Sequence, residues 1–243
     1  MDVYALIAEI TGEPDPYDQL RKDSNDMALG IRDTVRSRIE KADNPLKAAL
    51  RFAVASNIID YGARHDFDAM TALSDCLAQE FRIDDTAKLS REIDSTAGLR
   101  ILYLADNSGE IVFDGLVVEQ LLKQGCKVTF AVRETPILND VTMKDAVECG
   151  IDKICQVITN GTGCPGTPLS SCSTAFRRVF NESDMIISKG QGNFETLSEI
   201  DAPIYFLLTV KCPVVRRNIS AMKQINVESI SGSGEMILMK RSR

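Results

Sequence analysis

After Gly98 the chain breaks into short runs of Val, Ile, Leu, Tyr and Phe that alternate with longer stretches of helical periodicity. This alternation restricts the fold more than any other feature. Short apolar runs suit strands covered on both faces, and the helical stretches between them supply the crossovers of a parallel sheet. The candidate strands are RILYLA (100–105), KVTFAV (127–132), KICQVI (153–158), DMIIS (184–188) and PIYFLL (203–208), with EMILMK (235–240) adding a sixth. Between the first two, EIVFDGLVVEQLLKQG repeats its apolar residues at helical spacing, with Gly125 placed to stop it. The expected fold is α/β: a mostly parallel central sheet flanked by helices.

Residues 1–97 read differently. They are rich in helix formers and space their apolar residues by three and four, which predicts several helices. The clearest lies in NPLKAALRFAVASNIIDYG, where Asn44 is a cap and Pro45 suits the first turn. Leu46, Ala49, Leu50, Ala53 and Val54 form its apolar face, and Gly62 is positioned to end it. Residues 1–97 are therefore expected to be an N-terminal all-helical region packing on the core formed by residues 98–243. With 243 residues the chain can bury a substantial core, and no internal repeat or low-complexity tract interrupts it.

The formal charge of −7 and a pI near 4.9 argue against a nucleic-acid partner, which needs a clustered excess of Lys and Arg. No apolar stretch is long enough to span a bilayer, and the opening MDVYALIAEITGEPD lacks both a basic region and an apolar block. A cytoplasmic protein without membrane contact is expected. The seven cysteines (Cys76, Cys126, Cys149, Cys155, Cys164, Cys172 and Cys212) contain no C-x-x-C pair, so buried free thiols are expected, not a disulfide framework or zinc ribbon. The sequons at Asn160, Asn181 and Asn218 are then silent.

In an open parallel sheet, ligands bind beyond the carboxyl ends of the strands, near a reversal of strand order. The first strand is followed by Asp106 and Asn107, and the second by Arg133 and Asp140 in RETPILNDVT. The fourth leads into KGQGNFE with Lys189 and Asn193, and the fifth into Lys211. Asp106, Asn107 and Asp140 offer oxygen donors suited to a hard divalent ion, and a single histidine, His65, excludes a His-rich zinc site. Arg133, Lys189, Lys211 and the amides of DNSGE are candidates to hold an anion such as phosphate. Each element alone has an ordinary structural reading: DNSG and LNDVT cap helices, GTGCPGT lacks a G-K-[ST] ending, and GQGNFE is not G-x-G-x-x-G. What distinguishes them is their joint position after successive strands.

LADNSGEIVFDGLVVEQL, PILNDVTMKDA, IISKGQGNFETL and FLLTVKCPVV, in this order, resemble the metal-dependent damage-control phosphatase family, and NPLKAALRFAVASNIIDYG is similar to a helical segment of its prokaryotic members. The similarity covers roughly Asn44 to Val215. It implies that Asp106 and Asn107 bind a divalent metal and that Asp140 completes the protein ligands. It also implies that Lys189, Gly190, Gln191, Gly192 and Asn193 form a loop contacting the substrate phosphate, joined by Lys211. Glu110 and Asp114 fall on acidic positions near the metal. With Mn2+, Co2+, Ni2+ or Mg2+, such enzymes hydrolyse phosphate monoesters of small metabolites, sugar phosphates and damaged or excess cofactor intermediates. Two departures bear on substrate range. The chain opens on an acidic, helix-like stretch where prokaryotic relatives often have a cysteine-containing one. The Arg-Thr-x-Lys of some eukaryotic relatives is here LTVK.

The expected mechanism is metal-assisted phosphomonoester hydrolysis, with Asp106, Lys189 and Lys211 catalytic and Glu110 and Arg133 lining the substrate site. A metal-activated water and direct attack by Asp106 both remain open. Haloacid-dehalogenase phosphatases place a second acid two positions after the attacking Asp, where this chain has Ser108. Two other classes compete: a nucleotide-dependent, methyltransferase-like transferase, for which ADNSGE and AVRE are poor matches, and a non-catalytic metal- or metabolite-binding protein.

Overall fold

The computed structural model describes Leu6 and residues 9–56, 80–232 and 234–241. Helix α1 (Asp18–Glu40) is followed by α2 (Pro45–Ala55), which starts as its sequence predicts: Pro45 occupies the first turn and the Asn44 side chain accepts a hydrogen bond from the Lys47 amide at 2.9 Å. The helix ends at Ala55, and Gly62, its expected terminator, lies outside the described residues. A two-residue strand β1 (Ile83–Asp84) and helix α3 (Thr86–Ser95) follow.

The remaining strands are β2 (Arg100–Leu104), β3 (Lys127–Val132), β4 (Gln156–Thr159), β5 (Met185–Lys189), β6 (Ile204–Val210) and β7 (Glu235–Lys240). Helices α4 (Glu110–Lys123), α5 (Met143–Glu148), α6 (Thr174–Glu182), α7 (Gly190–Leu197) and α8 (Pro213–Lys223) connect them. One strand is displaced from its expected place. Gly150 adopts a left-handed conformation (φ 77°) that starts a 3-10 turn at Ile151–Lys153, so β4 begins only at Gln156.

The described strands form one seven-stranded sheet in the order β1-β7-β6-β5-β2-β3-β4. Every pairing is parallel except β6 with β7. That exception follows from the path after α8. The chain returns to the carboxyl end of β6, where Gly234 N–H donates to the Val210 carbonyl, before β7 starts. Successive residues of the central strands face opposite layers. Ile101, Tyr103, Met185, Ile187, Tyr205 and Leu207 pack with the helices α1, α2 and α4, whereas Leu102, Leu104, Ile186, Phe206 and Leu208 pack with α6, α7 and α8. Helix α4 is buried at nearly every position from Glu110 to Leu121 because α1 and α2 cover the side that does not face the sheet.

The chain lays β2, β3 and β4 in one direction, then returns to place β5 on the other side of β2. The order therefore reverses between β2 and β5, and a crevice opens beyond their carboxyl ends.

Candidate active site

Leu104 pairs with Ser188, so the residues that continue β2 and β5 lie side by side. Asp106 faces Gly190, the first residue of α7, whose φ of 78° is available to glycine at little cost. The third component arrives by a less regular route. The segment after β3 folds back on the end of β2: Arg133 N–H donates to Val141 O at 2.9 Å, Val141 N–H to Asp106 O at 2.9 Å, and Ser108 N–H to Asn139 O at 2.9 Å. An isolated antiparallel bridge then sets Asp140 opposite Asn107. Asp140, more than thirty positions further along the sequence, thus meets Asp106 and Asn107 at the switch point.

They border a cavity of about 400 Å³ that is also lined by Glu110, Lys189, Gly190, Gln191, Gly192 and Lys211. Two of the expected substrate contacts lie behind this wall. Arg133 is buried and donates through Nε to Asp140 Oδ2 at 2.6 Å, and through its other nitrogens to Thr167 Oγ1 (3.2 Å) and Asn193 Oδ1 (3.3 Å). Asn193 is buried too. Its amide donates to Ala105 O (3.1 Å) and Lys189 O (2.8 Å), tying the ends of β2 and β5 together.

The cations differ in how they are held. Lys189 is buried, and its ammonium donates to Ala53 O at 2.8 Å, Glu110 Oε2 at 2.7 Å and Asp114 Oδ1 at 2.8 Å. Those contacts engage all three donors of an ammonium group. Burial works to lower its pKa, but Asp114 and Glu110 outweigh burial and hold it well above the usual lysine value. Lys211 is exposed at the cavity rim, where its backbone N–H donates to Gln191 Oε1 at 2.8 Å.

Acidic side chains outnumber cations at the site. Burial pushes the Asp106 carboxyl well above the ordinary range, and Asp140 and Glu110 push it further against the pull of Arg133 and Lys189. Burial likewise raises Asp140 in spite of its Arg133 partner. Asp114, which accepts from Tyr103 Oη at 2.7 Å, is raised to about 6, by burial first and by Glu110 against the opposing Lys189. Asp106, Glu110, Asp114 and Asp140 thus surround two buried cations, Lys189 and Arg133. Fully ionised, the four acids would exceed the two cations by two charges, a state that a further bound cation would favour. Among the described residues, no group of three His, Cys, Asp or Glu side chains stands in metal-holding geometry. The candidate set here is two carboxylates and an amide. The Asn107 amide nitrogen donates to Asp106 Oδ2 and Glu110 Oε1, each at 3.1 Å.

Several wall residues carry no signal in the sequence. Val54 reaches the cavity from an ordinary amphipathic helix, and Pro165 and Gly166 come from a segment without a phosphate-loop pattern. Glycine at 166 is the one available clue, since a Cβ there would lie 2.3 Å from the Gly192 carbonyl oxygen.

The family described as Damage-control phosphatase ARMT1-like domain matches residues 1–226. An uncharacterized protein of Methanocaldococcus jannaschii is 35 % identical over 246 residues, covering 98 % of this chain and 78 % of that protein. A damage-control phosphatase of Pyrococcus horikoshii is 36 % identical over 224 residues, covering 91 % of this chain and 76 % of the relative. One from Archaeoglobus fulgidus is 33 % identical over 223 residues, or 89 % of this chain and 76 % of the relative. A crystal structure of a DUF89 family protein from Pyrococcus horikoshii superposes with a TM-score of 0.85 at 32 % identity, over 99 % of this chain and 80 % of that one.

Proposed function

This chain belongs to the damage-control phosphatase ARMT1-like domain family, and from that premise we propose that it is a metal-dependent phosphomonoester hydrolase acting on small phosphorylated metabolites. The observation that supports this reading best is the meeting of Asp106, Asn107 and Asp140 on one cavity with an excess of buried carboxylate. That donor set fits a hard divalent cation such as Mn2+, Co2+, Ni2+ or Mg2+. Asp106 and Asp140 would hold it through their carboxylates, and Asn107 through Oδ1, once its amide turns from the two acids to which its nitrogen now donates. When bound, a divalent ion there supplies Lewis acidity at the phosphoryl group.

The chain's own residues account for the rest. Arg133 fixes the position of Asp140 and screens it from Asp106. The opening amides of α7, at Gly190, Gln191 and Gly192, have no partner within the helix and border the cavity, where they suit the oxygens of a phosphate. Lys211 at the rim offsets the charge that builds up on the phosphoryl group. Lys189, its donors engaged, holds Glu110 and Asp114 beside the site and contributes a fixed positive charge there. Glu110 borders the cavity next to Asn107 and limits how a substrate enters. The cavity suits a substrate of sugar-phosphate size.

The test is phosphate release from para-nitrophenyl phosphate and from a panel of sugar and cofactor phosphates, with each of the four metals and after chelation. The expected result is turnover that requires metal and disappears in Asp106→Ala. Metal-independent turnover or full activity in Asp106→Ala would refute the proposal. Metal uptake without turnover of any ester would favour a binding protein.

A further inference from the structure

Helix α1 buries two polar side chains that serve the site from outside it. Asn25 is 2 % exposed; its Oδ1 accepts the backbone N–H of Gly109 at 2.8 Å, and its Nδ2 donates to Asp145 Oδ1 at 3.0 Å. One donor and one acceptor facing their complements leave only this amide orientation. Arg21, 1 % exposed and one helical turn earlier, donates through Nη1 to the Leu138 carbonyl at 3.2 Å, and its Nε lies 3.3 Å from Asp145 Oδ2. Asp145 in turn accepts from Thr142 N–H at 2.9 Å and Thr142 Oγ1 at 2.7 Å, closing the start of α5. A continuous chain of buried polar contacts thus runs from Gly109 through α1 to the segment 138–142.

The two backbone groups held by α1 are informative. Gly109 lies two residues after Asn107, and Leu138 two residues before Asp140. Each has a positive φ, 72° at Gly109 and 48° at Leu138. For leucine that conformation is disfavoured and persists only where the surroundings impose it. Arg21 therefore holds the strained turn that delivers Asp140, while Asn25 holds the turn that follows Asp106 and Asn107.

We infer that Asn25 and Arg21 are positioning residues that set the separation of Asp106 and Asn107 from Asp140, so that α1 governs cation affinity from outside the cavity. This inference rests on the cation reading of the site. Groups that orient ligands from behind typically change metal affinity by ~10- to 100-fold. The test uses the full chain and Mn2+ alone, with the dissociation constant measured by titration calorimetry and unfolding followed in chelator. Asn25→Ala and Arg21→Lys are each expected to weaken Mn2+ binding by about 10- to 100-fold. The control is Arg36→Ala, which removes a different contact between α1 and α4, the ion pair with Glu119 at 2.9 Å, far along the helix from these turns. It is expected to leave Mn2+ affinity within about threefold while still lowering stability.

Unchanged affinity in Asn25→Ala and Arg21→Lys would overturn the inference, as would an equal loss in Arg36→Ala, which would mean that docking of the helix as a whole is what counts. Failure of both brace variants to fold while Arg36→Ala folds would overturn it too, by making the brace a folding element. A wild-type chain that takes up no Mn2+ would instead remove the cation reading itself, and this inference with it.

Discussion

Gly190 and Asp106 share one small space: a Cβ added to Gly190 would lie 1.8 Å from Asp106 Oδ2 and 2.8 Å from Oδ1. The absence of a side chain at the start of α7 is what allows the acid after β2 to rest against a helix N-terminus, where a negative charge is favoured. The same glycine has a φ of 78°, so a side chain is disfavoured there twice over.

Gly190→Ala should consequently displace Asp106 and cost the site more than it costs the fold. The expected outcome is a loss of at least about 100-fold in kcat/KM, as displacement of a reacting group by ~1 Å commonly produces. The accompanying destabilisation should be roughly 1–3 kcal/mol from backbone strain. Steady-state kinetics and urea unfolding check the two parts. Full activity with lowered stability would show that Asp106 need not sit where it does.

Asp106 itself should show the opposite balance. Its charged form is disfavoured by burial and by Asp140 and Glu110, so the metal-free chain is strained by it. Asp106→Asn should raise stability in chelator by roughly 0.5–2 kcal/mol, the range of single stabilising replacements. It should also reduce Mn2+ affinity and phosphatase turnover by at least the ~10- to 100-fold that loss of a partner behind a metal ligand produces. A variant that is less stable in chelator would contradict this account of the site's charge.

Much of this arrangement was legible in the sequence because it follows from strand ends. Asp106, Lys189 and Lys211 each stand at or just beyond the end of an apolar run, and in a parallel sheet such positions share one edge. Asn44 and Pro45 announced α2 through a cap whose chemistry is local. Three features had no local signal. The bridge between Asn107 and Asp140 involves one residue on each side, and so leaves no periodicity. The two-residue strand β1 is too short for alternation, and its place is set by β7. The burial of Arg133, Asn193, Arg21 and Asn25 is the third, since these residue types are normally found on surfaces and only their distant partners keep them buried. Lys189 illustrates the same limit. Its position after an apolar strand pointed to the site, but the Ala53 carbonyl that takes one of its donors lies on a helix from the other half of the chain.

The two lysines at the site should separate cleanly. Lys189→Met leaves Glu110 and Asp114 buried without their cation, which typically costs ~3–5 kcal/mol. Lys211→Met alters an exposed residue and should cost less than about 1 kcal/mol, as losses of exposed charge interactions do. It should still lower kcat/KM by about 10- to 100-fold if its ammonium meets the phosphoryl group. Thermal unfolding in chelator and steady-state kinetics on both variants decide the matter. Equal stability losses would mean that the contrast in burial does not translate into energy.

Asp114 provides a pH test that needs no metal. Its pKa rises from 3.8 to about 6 on folding, chiefly through burial, so between these values the folded chain holds a proton that the unfolded chain has released. Its contribution to stability is therefore greatest at low pH, and is lost as pH rises toward 6, by roughly 3 kcal/mol in all. Asp114→Asn keeps an Oδ1 able to accept from Tyr103 Oη and Lys189 Nζ, and replaces an Oδ2 that has no hydrogen-bond partner. It does not titrate. In chelator, the stability of Asp114→Asn relative to wild type should therefore increase between about pH 4 and 6 and level off above 7, as urea unfolding at several pH values would register. A difference that stays constant across that range would mean that Asp114 is ionised throughout, with Lys189 offsetting its burial completely.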